Sequence, residues 1–112
     1  MQQVPLNNTL PNQEFTILLN GKNFDLAIRT VDDISLLTIT VDGIKIVDSI
    51  KCMPNVPLLY YKYLQSQYGD FIFSTTDNEY PYYTGFSGRY KLFYLTYDEV
   101  EVFKQEQLNQ WV

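Results

Sequence analysis

The chain has 112 residues, with 13 acidic side chains against 8 basic ones and a net charge of -5. This length predicts a single domain, residues 1–112, that is large enough to bury a hydrophobic core. The negative charge repels phosphate backbones and argues against stable nucleic-acid binding. Histidine is absent, which removes the usual general base and metal ligand. We therefore predict no catalytic residue, no metal site and no cofactor.

The single cysteine, Cys52, cannot form an internal disulfide, which indicates a fold that does not depend on an oxidising compartment. We interpret it as a small apolar side chain beside a loop, because a lone thiol without a base is a poor nucleophile. Residues 1–5 have neither the basic start nor the apolar stretch of a signal peptide. No apolar run reaches membrane-spanning length. We expect a protein that is not exported by that route and not embedded in a membrane.

Residues 1–12 contain two prolines and several asparagines and glutamines before any regular pattern begins. This composition predicts an extended arm outside the core. Arms of this kind often reach a neighbouring protein. The contact residues predicted in the arm are Pro5, Leu6, Pro11 and Asn12.

A first β-hairpin is predicted over residues 14–31, where apolar and polar side chains alternate on both sides of Asn20-Gly21. This dipeptide suits a type I′ turn, which needs positive φ at both central residues. A two-residue loop pairs Ile17 with Phe24, whereas a four-residue loop shifts that pairing by two residues. Both registers keep the same apolar face inward.

A second hairpin turns at Asp42-Gly43 and places Ile44 opposite Val41 and Ile46 opposite Ile39. Residues 58–67 are ambiguous between a short strand and a helical turn, and their tyrosines favour the strand.

Two further strands are predicted, over residues 71–76 and 89–95. The second is apolar on both faces, so it is either central in its sheet or covered by a second chain. The spacing of Thr96 and Glu99 is that of a capping box and predicts a helix from Tyr97 to about Gln110.

On that helix Val100, Phe103 and Trp111 share a face, although residues 100–103 could also extend as a strand. These elements predict an all-β fold, a small antiparallel barrel or sandwich of about seven short strands. The β-core spans residues 13–95, between the arm of residues 1–12 and a C-terminal helix in residues 96–111.

The aromatic loop of residues 80–86 is the one cluster of side chains that indicates a contact site. Solvated loops seldom hold several aromatic rings that contact nothing, so a protein interface is favoured over core packing, and both over carbohydrate binding. The contact residues predicted there are Tyr80, Tyr82, Tyr83 and Phe86. Three more tyrosines lie upstream, Tyr60, Tyr61 and Tyr63.

Several short motifs follow one another in order along the first part of the chain. They are Pro5-Leu6, Pro11-Asn12-Gln13-Glu14-Phe15, Leu19-Asn20-Gly21 and Phe24-Asp25-Leu26-Ala27-Ile28-Arg29. In order and spacing, these motifs resemble the small baseplate plug proteins of contractile-tailed bacteriophages. The resemblance extends from residue 5 to about residue 98.

This resemblance implies a structural virion protein and not an enzyme. Such a protein would plug or organise the baseplate hub at the start of the tail tube. Its implied partners are other baseplate and hub proteins and tail tube proteins, with homo-oligomer formation left open. It implies a location in the tail baseplate of the virion, after assembly in the host cytoplasm.

Two alternatives remain at this point. One is a carbohydrate-binding or host-recognition module that uses exposed tyrosines. The other, ranked last, is a small enzyme that uses the carboxylates of Asp98, Glu99 and Glu101.

Overall fold

The computed structural model describes residues 1–109, and strands account for most of its regular structure. The strands of this part of the chain are β1 Gln2–Val4, β2 Gln13–Leu19, β3 Lys22–Val31, β4 Ile34–Val41, β5 Ile44–Lys51, β6 Asp70–Ser74 and β7 Lys91–Leu95. The helices are α1 Lys62–Tyr68 and α2 Tyr97–Asn109, with a short 3-10 turn at Tyr83–Gly85.

The strands form two antiparallel sheets, which confirms the predicted β fold. One sheet has the order β2-β3-β4-β5 and the other β1-β7-β6, and neither closes into a barrel within residues 1–109. Both contribute to one core, where the ring of Phe24 meets Phe71 at 5.8 Å and Tyr94 at 5.5 Å between centroids. Of the two predicted architectures, the structure therefore has the sandwich.

The first hairpin has the two-residue loop, so Ile17 pairs with Phe24. Asn20 and Gly21 have φ values of 51° and 77°, as a type I′ turn requires. The inward residues Phe24, Leu26 and Ile28 are fully buried between the two sheets. The hairpin thus supplies one wall of the core.

The second hairpin differs from the prediction beyond its turn. Ile44 pairs with Val41 as expected, but Ile39 lies opposite Val47 and not opposite Ile46. The register shifts on either side of Ile39 because β5 contains a bulge, which places extra residues against its partner strand.

The prediction of an extended N-terminal arm outside the core is wrong for the first residues of the chain. β1 pairs with β7, Val4 is opposite Leu92, and the side chains of Val4 and Leu6 are 0% and 8% exposed. Two apolar residues spaced by two share one face of an extended chain, and here they complete the core beneath an otherwise unpaired edge of β7. The N-terminal residues are therefore an edge strand of the second sheet.

Residues 7–12 form an exposed turn and not a straight arm. The side chain of Gln13 holds this turn, because its Oε1 accepts a hydrogen bond from the Asn7 amide at 3.0 Å. Its Nε2 donates to the carbonyl oxygens of Asn7 and Leu10 at 2.8 and 3.1 Å. The chain thus returns to β2 along a defined path.

The predicted strand over residues 58–67 is also wrong, since most of it is α1. In α1 the side chains of Leu64 and Gln65 turn towards the protein and Tyr63 turns outward, while Tyr60 and Tyr61 precede the helix. Tertiary packing thus overrides the β propensity of the segment. Gly69 ends the helix with φ at 78°, and a Cβ there would overlap the Leu95 carbonyl oxygen. The strand count stays at seven because β1 replaces this segment.

β7 is the central strand of its sheet, as one of the two predicted alternatives required. Leu92 and Tyr94 face the main core, whereas Phe93 and Leu95 face α2. The helix packs there through Val100 and Phe103, with Ile72 of β6 completing the small second core. Both faces of the strand are thus covered within one chain.

The capping box at the start of α2 is present. The Thr96 amide donates to Glu99 Oε1 at 3.0 Å, and the Glu99 amide donates to Thr96 Oγ1 at 3.4 Å. The helix continues to Asn109, which confirms the helical prediction over the strand alternative. Trp111, predicted on the same face, lies outside the described residues.

Candidate partner-contact surface

The contact residues predicted in the first part of the chain separate into two groups. Leu6 lies in the core, and Ser87 Oγ bonds both its amide and its carbonyl oxygen at 2.9 Å. Pro5, Pro11 and Asn12 are exposed. Their contact with a partner stays a prediction, whereas Leu6 is unavailable on the surface of this chain.

The aromatic loop is built largely into the protein. Phe86 is 1% exposed and stacks on Phe73 with centroids 5.7 Å apart. Tyr82 and Tyr83 are half-buried, and Tyr83 packs against the main core. Tyr80 is 48% exposed, with the Lys51 ammonium 4.8 Å from its ring centroid. Core packing thus accounts for Phe86 and much of Tyr83, and Tyr80 is the most exposed of the four.

The most exposed aromatic cluster lies instead around the start of α1. We call Tyr60, Tyr61 and Tyr63 the tyrosine turn; their exposed fractions are 74%, 55% and 64%. The Tyr61 ring is 5.2 Å from that of Tyr60 and 5.8 Å from that of Tyr63. The site prediction missed this surface. The helical period alone would not have found it, because Tyr60 and Tyr61 precede α1 and stand four positions before Leu64 and Gln65.

A buried carboxylate holds the tyrosine turn from beneath. Asp70 Oδ1 accepts from the Leu59 amide at 2.8 Å, and Oδ2 accepts from the Tyr60 amide at 3.3 Å. Gln65 Nε2 donates to the same carboxylate at 2.7 Å. Burial raises the pKa of Asp70, and these donors oppose that effect without reversing it. Tyr60 is fixed with φ at 69°, a strained value for a residue with a side chain.

The same network reaches the C-terminal helix. Lys104 of α2 donates from Nζ to Gln65 Oε1, so Gln65 bridges the lysine and Asp70. Gln65 is fully buried, and these two hydrogen bonds satisfy both ends of its amide. The two helices and the tyrosine turn are thus connected by one chain of polar contacts.

A groove of about 670 Å³ runs between α1 and α2 beside the tyrosine turn. Its apolar and charged lining includes Val56, Tyr60, Tyr61, Lys62, Phe103, Lys104 and Leu108. Among the described residues that line it there are two lysines and no carboxylate. We call it the lysine groove.

The other side of α2 has the opposite charge. A second groove of about 340 Å³ is lined there by Met1, Leu95, Asp98, Glu99, Val102, Phe103 and Glu106. The Met1 ammonium pairs with Glu99, and this hydrogen bond lowers the pKa of that carboxyl. Asp98 and Glu106 add further negative charge. We call this surface the acidic face.

Two further reactive side chains, Cys52 and Glu79, are held in structural contacts. Burial raises the pKa of the Cys52 thiol to about 12, so the thiol stays protonated at neutral pH. Glu79 accepts from Arg89 Nε at 2.6 Å and from Tyr90 Oη at 2.8 Å, and the Arg89 hydrogen bond lowers its pKa. In residues 1–109 no three acidic or cysteine side chains lie close enough together to hold a metal ion.

Within the described residues, neither helix has the length and apolar character needed to cross a membrane.

Two packed sheets with exposed aromatic rings and two grooves of opposite charge define a small β-sandwich whose surface suits contacts with other proteins. The sequence profile of the family described as cyanophage baseplate Pam3 plug gp18 matches residues 1–99. The chain therefore belongs to this family of phage baseplate plug proteins. The family is a structural one, and its place is the tail baseplate of the virion. No curated protein matches the chain.

The matched span covers every strand described above, α1 and the first residues of α2. Most of α2, from residue 100 onwards, lies beyond it. The lysine groove thus has one wall inside the matched span and one wall outside it.

Proposed function

We propose that the protein closes or organises the baseplate hub where the tail tube begins. The observation that supports this role most directly is the family match over residues 1–99. A plug works by packing and release and needs no chemical step. It must hold its place through many modest contacts and then cease to obstruct the tube.

The partners in this proposal are other baseplate and hub proteins and the tail tube proteins. The protein would join them as the virion is assembled in the host cytoplasm. Exposed tyrosines suit such contacts, because each ring buries a large area and keeps one hydroxyl for a hydrogen bond. Tyr80 and the tyrosine turn provide such rings. Pro5, Pro11 and Asn12 provide a second exposed region on the N-terminal segment.

The charge of the chain supports a position on the path of DNA. A net charge of -5 repels a passing phosphate backbone as a whole, which opposes binding by counterion release. DNA would therefore pass without being retained.

The test is to locate the protein by electron cryomicroscopy in intact tails and in tails that have released their DNA. We expect density on the tail axis at the hub of intact tails and its displacement after release. A peripheral position in both states would reject the plug proposal. Glycan binding by the isolated, monomeric protein would instead favour the carbohydrate-recognition alternative, which the exposed tyrosine turn keeps open.

A further inference from the structure

The lysine groove and the acidic face lie on the two flanks of the same helix, on either side of Phe103, which lines both. Lys104 and Leu108 line the first, whereas Val102 and Glu106 line the second. Because each residue turns an α-helix by about 100°, positions two apart point about 160° away from each other. The two surfaces of one chain therefore cannot meet each other, but the surfaces of two chains can.

Both surfaces present apolar side chains to water. In the lysine groove Tyr60 and Leu108 are 74% and 62% exposed, and on the acidic face Met1 and Val102 are 70% and 58% exposed. Large apolar side chains grouped beside polar ones are typical of protein-binding surfaces. Each surface thus combines exposed apolar side chains with charges of one dominant sign.

The charges of the two surfaces complement each other. Among residues 1–109, Lys62 forms no ion pair, and Lys104 has Glu101 only at 4.0 Å. Within the same part of the chain, Asp98 and Glu106 form no ion pair either. An acidic face placed against a lysine groove would bring Lys62 and the second, weakly paired lysine close to these two carboxylates.

The lysine groove is held ready for a partner. Asp70 fixes the amides of Leu59 and Tyr60, and Gln65 ties Lys104 to the same carboxylate. A surface that is ordered before binding loses less conformational freedom when a partner arrives. The strained backbone at Tyr60 fits this role, because the network keeps its ring in solvent.

We propose that copies of this chain associate head to tail, with the acidic face of one copy seated in the lysine groove of the next. Such a contact joins two different surfaces, so each copy keeps one of each for a further neighbour. Repetition closes into a ring if the rotation between copies closes, and otherwise gives a filament. This association does not depend on the proposed hub position.

The experiment is sedimentation equilibrium of the full chain from micromolar to millimolar concentration, with charge-reversed variants. We expect the average mass of the wild type to rise above that of one chain. Lys62→Glu and Glu106→Lys should each weaken association by about tenfold or more, because each places like charges in contact. The double variant exchanges the two charges and should restore most of the loss.

Matched controls are Arg29→Glu and Glu14→Lys, which make the same charge changes on exposed positions of the four-stranded sheet. They should leave association near that of the wild type. A wild type that stays at the mass of one chain at every concentration would overturn the proposal. So would single variants that match their controls, or a double variant no better than the singles.

A monomeric chain that bound a synthetic acidic, amphipathic peptide would also overturn self-association, because the groove would then belong to another protein. Since these measurements use the isolated chain, their failure leaves the location test in tails unaffected.

Discussion

At the scale of single residues, the Asp70 side chain links several parts of the fold. Its carboxylate accepts hydrogen bonds from Leu59, Tyr60, Gln65 and the following Phe71 amide. One buried acid thus shapes the turn before α1, the inner side of α1 and the start of β6. Isolated carboxylates are costly to bury, and here several donors offset part of that cost.

The raised pKa of Asp70 predicts how this residue makes stability depend on pH. Below the ordinary pKa of 3.8 the group is protonated in both the folded and the unfolded chain. As pH rises, the unfolded chain loses its proton first, so the free energy of unfolding falls until pH passes the folded pKa. We expect the free energy of unfolding of the wild type, minus that of Asp70→Asn, to fall across this pH range when both are measured by urea unfolding.

Comparing these two proteins cancels the other carboxyls, including Glu79 and Glu99, whose lowered pKa values act in the opposite direction. The carboxyl carbon shift of Asp70, followed by NMR against pH, gives its folded pKa directly. A folded value below 3.8 would contradict this account.

At the scale of elements, the turns of both hairpins follow from local rules, whereas α1 and the bulge in β5 do not. Asn20-Gly21 adopts the positive φ values of its turn and sets the register of β2 and β3. In contrast, residues 58–67 contain tyrosines that favour strands and still form most of a helix. The buried contacts of Gln65 and the close approach of Gly69 to Leu95 decide that outcome.

The helix α2 offers a test of the capping box. Replacing Thr96 by alanine removes the oxygen that accepts from the Glu99 amide, and we expect a loss of about 1 kcal/mol in the free energy of unfolding. Urea denaturation followed by circular dichroism measures it. Thr84→Ala, at an exposed position away from α2, is the control; equal losses in both variants would show that the cap contributes nothing.

At the scale of the whole molecule, the N-terminal residues complete the second sheet. Val4 pairs with Leu92, and Leu6 is held by Ser87, which is 81 positions away in the chain. Without β1, the central strand β7 would become an edge. The first residues therefore belong to the fold itself, while the side chains of residues 1–3, Pro5 and the turn of residues 7–12 stay exposed.

Two leucines of the same segment test this conclusion. Leu6→Ala removes a buried side chain from the main core and should lower the free energy of unfolding by about 3 kcal/mol. Leu10→Ala, at a position that is 45% exposed, should cost less than about 1 kcal/mol. Chemical denaturation of both variants gives the comparison. Similar small losses of unfolding free energy in both variants would instead support an arm that the fold does not need.

The partner-contact surface shows the limit of sequence reasoning at this scale. The aromatic content of residues 80–86 is plain in the sequence, but Phe86 is buried and Tyr80 is exposed for reasons that lie in distant strands. The tyrosine turn and the lysine groove require α1 and α2 to lie side by side. The two helices contact each other through Lys104 and Gln65, which are 39 positions apart.

The pattern of residues predicts the β class, both hairpin turns, the cap of α2 and the family. The turns and the cap rest on residues a few positions apart, where backbone sterics and local hydrogen bonds act alone, whereas the β class and the family rest on the order of such patterns along most of the chain. The folded chain is needed to show that β1 joins β7, that α1 is helical and which tyrosines face solvent. Those outcomes depend on burial against distant parts of the chain, and local pattern contains no information about which distant surface will be met.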